Sequence, residues 1–167
     1  MGALLFLLSA SALTIAVVYD AVTNKSDTPT QQTTAGMLAG TKLADFTPVQ
    51  TVPKLVITDT KAGTGAIVKA SDKVTVDYTG AVAATGVIFQ SSKDSGQHPS
   101  FPVQEATATQ NGVLKGWVEG LPGMKVGGTR RLLIPAELAY GPSPPEGSGI
   151  PVNAALVFDV TVYSIDK

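Results

Sequence analysis

No cysteine occurs in the 167 residues, and histidine occurs once, as His98. The first absence excludes disulfides, a thiolate nucleophile and cysteine-ligated zinc. The second leaves no histidine cluster for a metal and no partner set for a Ser-His-Asp triad. Charge of either sign is also scarce: 12 basic residues face 13 acidic ones, for a net of −1. A nucleic-acid binder shows a basic stripe and a high pI instead, so no nucleic-acid partner is expected. Aromatic residues are few, at 6%, which makes their placement informative.

What the chain does have is apolar material and turn formers. Apolar residues make up 44%, enough for a sizeable core, and 17 glycines with 11 prolines point to many turns and a sheet-rich domain. The length suits one ordinary domain plus additional elements.

Gly2–Tyr19 reads GALLFLLSASALTIAVVY, without a charge, and Asp20 closes it. As a helix it spans about 27 Å, close to the hydrocarbon thickness of a bilayer. Two other readings compete. A cleaved signal peptide would use Ala10-Ser11-Ala12 as its small-residue site, but no lysine or arginine precedes the run, which exceeds a usual signal core. A buried soluble helix would show a polar face, and none is present. The preferred reading is a membrane anchor over residues 1–22, with Tyr19 at the interface and a small-residue patch, Ser9 to Ala12, suited to neighbouring membrane subunits. Residues 23–52, rich in Thr, Gln, Ala and Gly without sustained periodicity, read as a linker. The globular domain is expected over 53–167.

Within that domain, short β-rich runs alternate with turns. Leu55–Thr58, Val74–Thr79, Val87–Phe89, Thr129–Ile134 and Ala155–Ile165 read as strands, with Gly80 marking a bulge or bend. One helix is expected over 111–121, with Leu114, Trp117, Val118 and Leu121 on one face and Pro122-Gly123 ending it. A lone short helix must pack into a sheet. The expected class is α+β: an antiparallel sheet of about five strands wrapped around one short helix, preceded by a single transmembrane helix.

Several residues attract a functional reading and lose it. His98, in Gln97-His98-Pro99-Ser100, reads as a loop residue rather than a catalyst. Arg130-Arg131 reads as a solvated face plus one salt bridge rather than a phosphate site. Asp94 and Glu119 show no convergent partner. Gly127-Gly128 reads as a turn, since no P-loop lysine follows.

Five blocks in order carry a resemblance: Val76-Asp77-Tyr78-Thr79-Gly80, Val113-Leu114-Lys115-Gly116-Trp117, Gly120 to Gly128, Ile134 to Gly141 and Gly149 to Val160. Together, from about Lys54 to Lys167, the chain resembles FKBP-type peptidyl-prolyl isomerases, the macrolide-binding immunophilins. The resemblance implies an apolar pocket floored by Trp117, with Tyr78, Phe89, Phe101, Val113, Leu114, Tyr140, Ile150 and Phe158 as walls. Tyr140, between Ala139 and a Gly-Pro loop, is expected to expose its phenol. It also implies proline-containing protein segments as partners, a macrolide ligand and no cofactor.

Such a pocket needs no nucleophile or metal. Rotation about a peptide bond faces a barrier of about 18–20 kcal/mol set by amide resonance. A site that strips water from the carbonyl and binds the twisted amide better than either planar form lowers it. By resemblance the donors are the Leu114 N–H and the Tyr140 hydroxyl, while Trp117, Phe101 and Phe158 enclose the proline ring. One departure matters: the family usually carries Phe-Asp-Ser-Ser where this chain has Phe89-Gln90-Ser91-Ser92. Gln90 loses the carboxylate's charge-assisted hydrogen bonds. The loop after Tyr140, Pro142-Ser143-Pro144-Pro145-Glu146, is stiff and lacks the family's frequent histidine. Reduced turnover is expected. The alternative is a non-catalytic accessory subunit of a membrane complex. By analogy with exported single-anchor relatives, the domain is expected on a lumenal or periplasmic side.

Overall fold

A computed structural model describes residues 37–107 and 110–166. The run 2–19 read as a transmembrane helix lies outside them. Among the described residues no helix is long and apolar enough to cross a membrane.

The described strands are β1 (Val56–Lys61), β2 (Lys73–Val82), β3 (Ile88–Ser91), β4 (Ser100–Pro102), β5 (Thr129–Ile134) and β6 (Leu156–Asp166), with one helix, α1 (Lys115–Gly120). They form an antiparallel sheet in the order β1-β5-β6-β2-β3, and β4 shares the β2 edge with β3. Six strands stand against about five expected, because Ser100–Pro102 pairs with Lys73–Thr75 through too few residues to show an alternating pattern.

Alternation on the long central strands creates two unlike faces. Val74, Val76 and Tyr78 of β2, Leu132 and Ile134 of β5, and Phe158, Val160 and Val162 of β6 point to one core, which α1 covers with Trp117 and Leu121. The helix is shorter than the expected 111–121. Val113 is held extended by Gln104 and Ala106 (2.8 and 3.2 Å), so helical geometry begins only after Leu114. Gly116 sits inside α1, where glycine weakens a helix by about 1 kcal/mol, and Gly120 closes it. They are used here because a Cβ on Gly116 or Gly120 would fall 2.5 Å from Ile134 or 2.6 Å from Leu132, so they let α1 lie directly on β5.

The opposite face is polar in its middle. Cross-strand pairing sets Thr129, Thr161 and Asp77 in one row and Arg131, Asp159 and Thr79 in the next. Arg131 holds Asp159 in a two-pronged ion pair at 2.6 and 2.7 Å, and Arg130 does the same to Asp59 at 2.6 and 3.1 Å. The expected solvated face with one salt bridge is thus replaced by two paired arginines; Arg130 is also buried, donating to the Gly120 carbonyl at 2.7 Å. The buried Asp77 accepts from Ser92 at 2.9 Å and Tyr163 at 2.9 Å, with His98 Nδ1 at 2.8 Å. Burial pushes the Asp77 carboxyl up, but these hydrogen bonds from His98, Ser92 and Tyr163 outweigh it and hold it below the usual carboxylate range.

Within the stretch read as a linker, residues 38–46 dock on this face. Leu43, with Leu38 and Phe46 beside it, packs on Ala81, Ile88, Val157 and Leu133 in a second small core. Arg131 reaches the Asp45 and Ala44 carbonyls and stacks on Phe46 at 5.6 Å. Asp94, expected to lack a partner, accepts the Leu38 and Ala39 N–H groups at 2.6 and 3.0 Å.

Candidate functional site

The site residues read from the sequence come from β2, β3, β4, α1, β6 and two loops, and the fold brings the apolar ones into one cluster. Trp117 sits at its centre. Its ring meets Tyr78 at 5.8 Å, Phe101 at 6.2 Å and Phe158 at 5.4 Å, all edge-to-face, and Phe158 carries the contact on to Phe89 at 5.7 Å. Edge-to-face pairs add about 0.5–1.5 kcal/mol each beyond burial, so the cluster is stiff. Gly80 makes it possible. A Cβ there would lie 2.6 Å from the Phe158 ring and 2.7 Å from that of Phe89, so any larger residue would push both rings away.

The cluster has two tiers. Tyr78, Val113, Trp117, Ile150 and Phe158 are buried; Phe89, Phe101, Leu114 and Tyr140 are half-buried and form the accessible layer. Trp117, expected as the floor of the pocket, is 1% exposed, with the rings of Tyr78, Phe101 and Phe158 packed around it. Its indole N–H has no acceptor among the described residues. A buried unpaired donor costs about 1–3 kcal/mol, and ring faces offer only weak compensation. The open concavity, about 210 Å³, is bordered by Phe89, Gln90, Tyr140, Pro145, Ser148 and Ile150.

Tyr140 is held by its loop. The Ala139 and Gly141 N–H groups both donate to the Ala136 carbonyl at 3.0 and 2.9 Å, and Asn153 N–H ties the returning chain to Gly141 at 2.8 Å. Its phenol is half-buried rather than exposed as expected, and burial pushes its pKa up to about 12. Burial, with the neighbouring Tyr140 phenol, also raises that of Tyr78. Both phenols are therefore neutral donors at any physiological pH. The Tyr140 hydroxyl, the Gln90 carboxamide and the Leu114 N–H carry no hydrogen bond among the described residues. Leu114 is the N-cap of α1, where backbone N–H groups lack intrahelical partners. Sequence reasoning missed Ser148, whose hydroxyl donates to Pro145 O at 2.7 Å in the wall of the concavity.

A larger groove, about 360 Å³, lies on the opposite face under residues 38–44. Its floor hydroxyls are paired, Thr79 with Ser91 and Thr129 with Thr161 at 2.9 Å each. Its carboxylates are held by other side chains, Asp77 by Ser92 and Tyr163 and Asp159 by Arg131, so size is outweighed by the engagement of the floor groups. Among the described residues no cluster of His, Asp or Glu could hold a metal.

Residues 65–163 match the model of the family described as FKBP-type peptidyl-prolyl cis-trans isomerase. The chain belongs to that family. Among FKBP relatives, it is 46% identical over 119 residues to a probable FK506-binding protein of Corynebacterium glutamicum, covering 70% of this chain and 92% of the relative. It is 44% identical over 108 residues to the FKBP-type peptidyl-prolyl cis-trans isomerase FkpA of Aeromonas hydrophila, covering 64% of this chain but 36% of that longer protein. The crystal structure of FkpA from Escherichia coli superposes with a TM-score of 0.57 at 41% identity, covering 67% of this chain and 48% of that one. The FKBP match leaves β1 and residues 37–52 outside it.

Proposed function

We propose that this chain isomerises X–Pro bonds of protein segments at the layer formed by Phe89, Phe101, Leu114 and Tyr140, with Gln90 lowering its turnover. The observation that carries this reading is the coincidence of two unpaired donors, the Leu114 N–H and the Tyr140 O–H, with one stiff, dry aromatic cluster. A proline ring against Phe101 and Phe89 leaves the preceding carbonyl in an apolar setting. There the planar, charge-separated amide loses the stabilisation water gives it, while the two donors hold the twisted form. Trp117 and Phe158 act from below, keeping the upper rings in place. The same layer suits a macrolide ligand.

Gln90 borders the concavity with its carboxamide free. A carboxylate there would accept charge-assisted bonds about twice as strong as neutral ones. The test is an isomerisation assay on proline peptides with the full chain beside Gln90→Asp. The expected result is measurable wild-type catalysis that rises in the variant. An inert wild type with an active Gln90→Asp supports the second reading, favoured by the missing carboxylate: a non-catalytic FKBP-like accessory subunit. Wild-type activity within about tenfold of an ordinary relative, or 1.4 kcal/mol of barrier, overturns that second reading.

The charge-free run Gly2–Tyr19 supports a single-pass tether, with the domain on a lumenal or periplasmic side and neighbouring membrane subunits held through residues 2–19. Alkaline extraction of membranes expressing the full chain is expected to leave it in the pellet; release into the wash contradicts the tether.

A further inference from the structure

We propose that the segment Leu38–Leu43 and the Asp94 carboxylate are positioning elements of the prolyl site, fixing β3 and with it Phe89 and Gln90. The inference rests on the reading of those two residues as part of the site.

β3 has four residues, and its hold on β2 is interrupted where the site needs it most. Thr79 pairs with Ser91 and Gly80 with Gln90, but Ala81 pairs with Ile88, so Phe89 is the extra residue of a bulge. A bulge re-aims a side chain and leaves the local ladder broken. A short edge strand with such a break belongs to the low-stability end of a domain unless something else holds it.

The other edge of β3 supplies that hold. Ile88 N–H donates to Thr41 O at 2.8 Å, Gly40 N–H to Ile88 O at 2.7 Å, and Leu43 N–H to Gly86 O at 2.8 Å. Lys42 Nζ reaches Thr85 O at 2.6 Å. Leu43 and Ile88 are buried against each other in the small core. Gly40, at a φ of +86°, makes the turn that brings this segment alongside, and Thr41 Oγ1 closes it on Leu38 O at 2.6 Å. Just beyond β3, in the turn Ser92–Asp94, the Asp94 carboxylate takes the Leu38 and Ala39 N–H groups. Phe89 and Gln90 are therefore bracketed, by Ile88 before them and Asp94 after them, and both brackets close on the same six residues.

None of these contacts touches the concavity, so their effect on turnover passes through the aim of the Phe89 ring and the Gln90 amide. Displacement by about 1 Å at such a remove can cost roughly 100-fold in rate.

The experiment compares the full wild-type chain with Asp94→Ala and Asp94→Asn, which keeps one acceptor oxygen. It measures kcat and KM on a proline peptide, the folded fraction, and amide exchange across residues 88–91 against β6. Asp94→Ala is expected to lose about 10- to 100-fold in kcat/KM, mostly in kcat, at unchanged folded fraction. Exchange at 88–91 should accelerate while β6 stays protected, and Asp94→Asn should fall between. Unchanged exchange at 88–91 overturns the inference whatever the turnover. So does a loss that tracks the folded fraction, or kcat/KM within about twofold of an active wild type. A wild type without catalysis sinks the isomerase reading instead, and exchange at 88–91 then decides the positioning alone: accelerated supports it, unchanged overturns it.

Discussion

The two faces of the sheet are built on different physics from alternate residues of the same strands. On the α1 face, Tyr78, Leu132 and Phe158 bury rings and branched chains around Trp117, and stability follows from apolar area and tight packing. On the other face, Asp77, Arg131 and Asp159 alternate with those residues in sequence; Arg131 pairs with Asp159 and reaches the Ala44 carbonyl, while Asp77 is held by Ser92, His98 and Tyr163. In the proposed reading the first face carries the chemistry, and the second holds the edge strand that brings Phe89 and Gln90 to it. The lesson is that a site of apolar rings can depend on polar contacts made behind it.

The comparison breaks most visibly at Trp117. Trp117→Ala removes the ring on which Tyr78, Phe101 and Phe158 converge, and a loss of about 3–5 kcal/mol is expected in chemical denaturation. Isomerisation should vanish in whatever fraction stays folded. A loss below about 1 kcal/mol would mean the ring layer collapses onto the gap without strain.

Arg131→Ala attacks the opposite face. It unpairs Asp159 and releases the Ala44 and Asp45 carbonyls, so about 1–3 kcal/mol of stability should go. Per folded molecule, turnover should change far less than in Trp117→Ala. An equal loss of catalysis in both variants would erase the division between the faces.

The smallest effect is expected at Asp77. Its folded pKa is held below the unfolded value of about 3.9, so its hydrogen bonds stabilise the fold above that pH and the contribution disappears as pH falls through the folded value. Asp77→Asn should cost about 1 kcal/mol at neutral pH and flatten the acid limb of the stability profile below pH 4. Identical acid limbs in the two proteins would remove Asp77 from the account.

The α1 face was legible in the sequence because period and burial coincide there. Leu114, Trp117 and Leu121 recur at helical spacing, and Thr129–Ile134 alternates cleanly, with the strand observed over those residues. The family blocks added the site residues. Failures cluster where backbone hydrogen bonds or distant partners decide. Asp94 meets Leu38 across 56 positions, so nothing local announces the contact. Residues 38–43 bind mainly through their backbone, which leaves no side-chain pattern, and a Thr- and Gly-rich stretch then reads as a linker. Asp77 and Thr79 alternate with apolar residues as a solvated strand face would, yet both are buried, because residues 38–44 and the loop around His98 cover them. Spacing puts Trp117 on the buried face of α1, but does not give the 1% exposure to which the surrounding rings reduce it.

The most direct measurement is the isomerisation rate of a proline peptide on the full chain beside Tyr140→Phe, which removes one hydroxyl and leaves the ring. A rate above the uncatalysed one, falling about tenfold or more in the variant at unchanged stability, is the predicted result. A wild-type rate equal to the uncatalysed one, or a variant as fast as wild type, contradicts the claim that this aromatic layer and its free donors twist the prolyl amide.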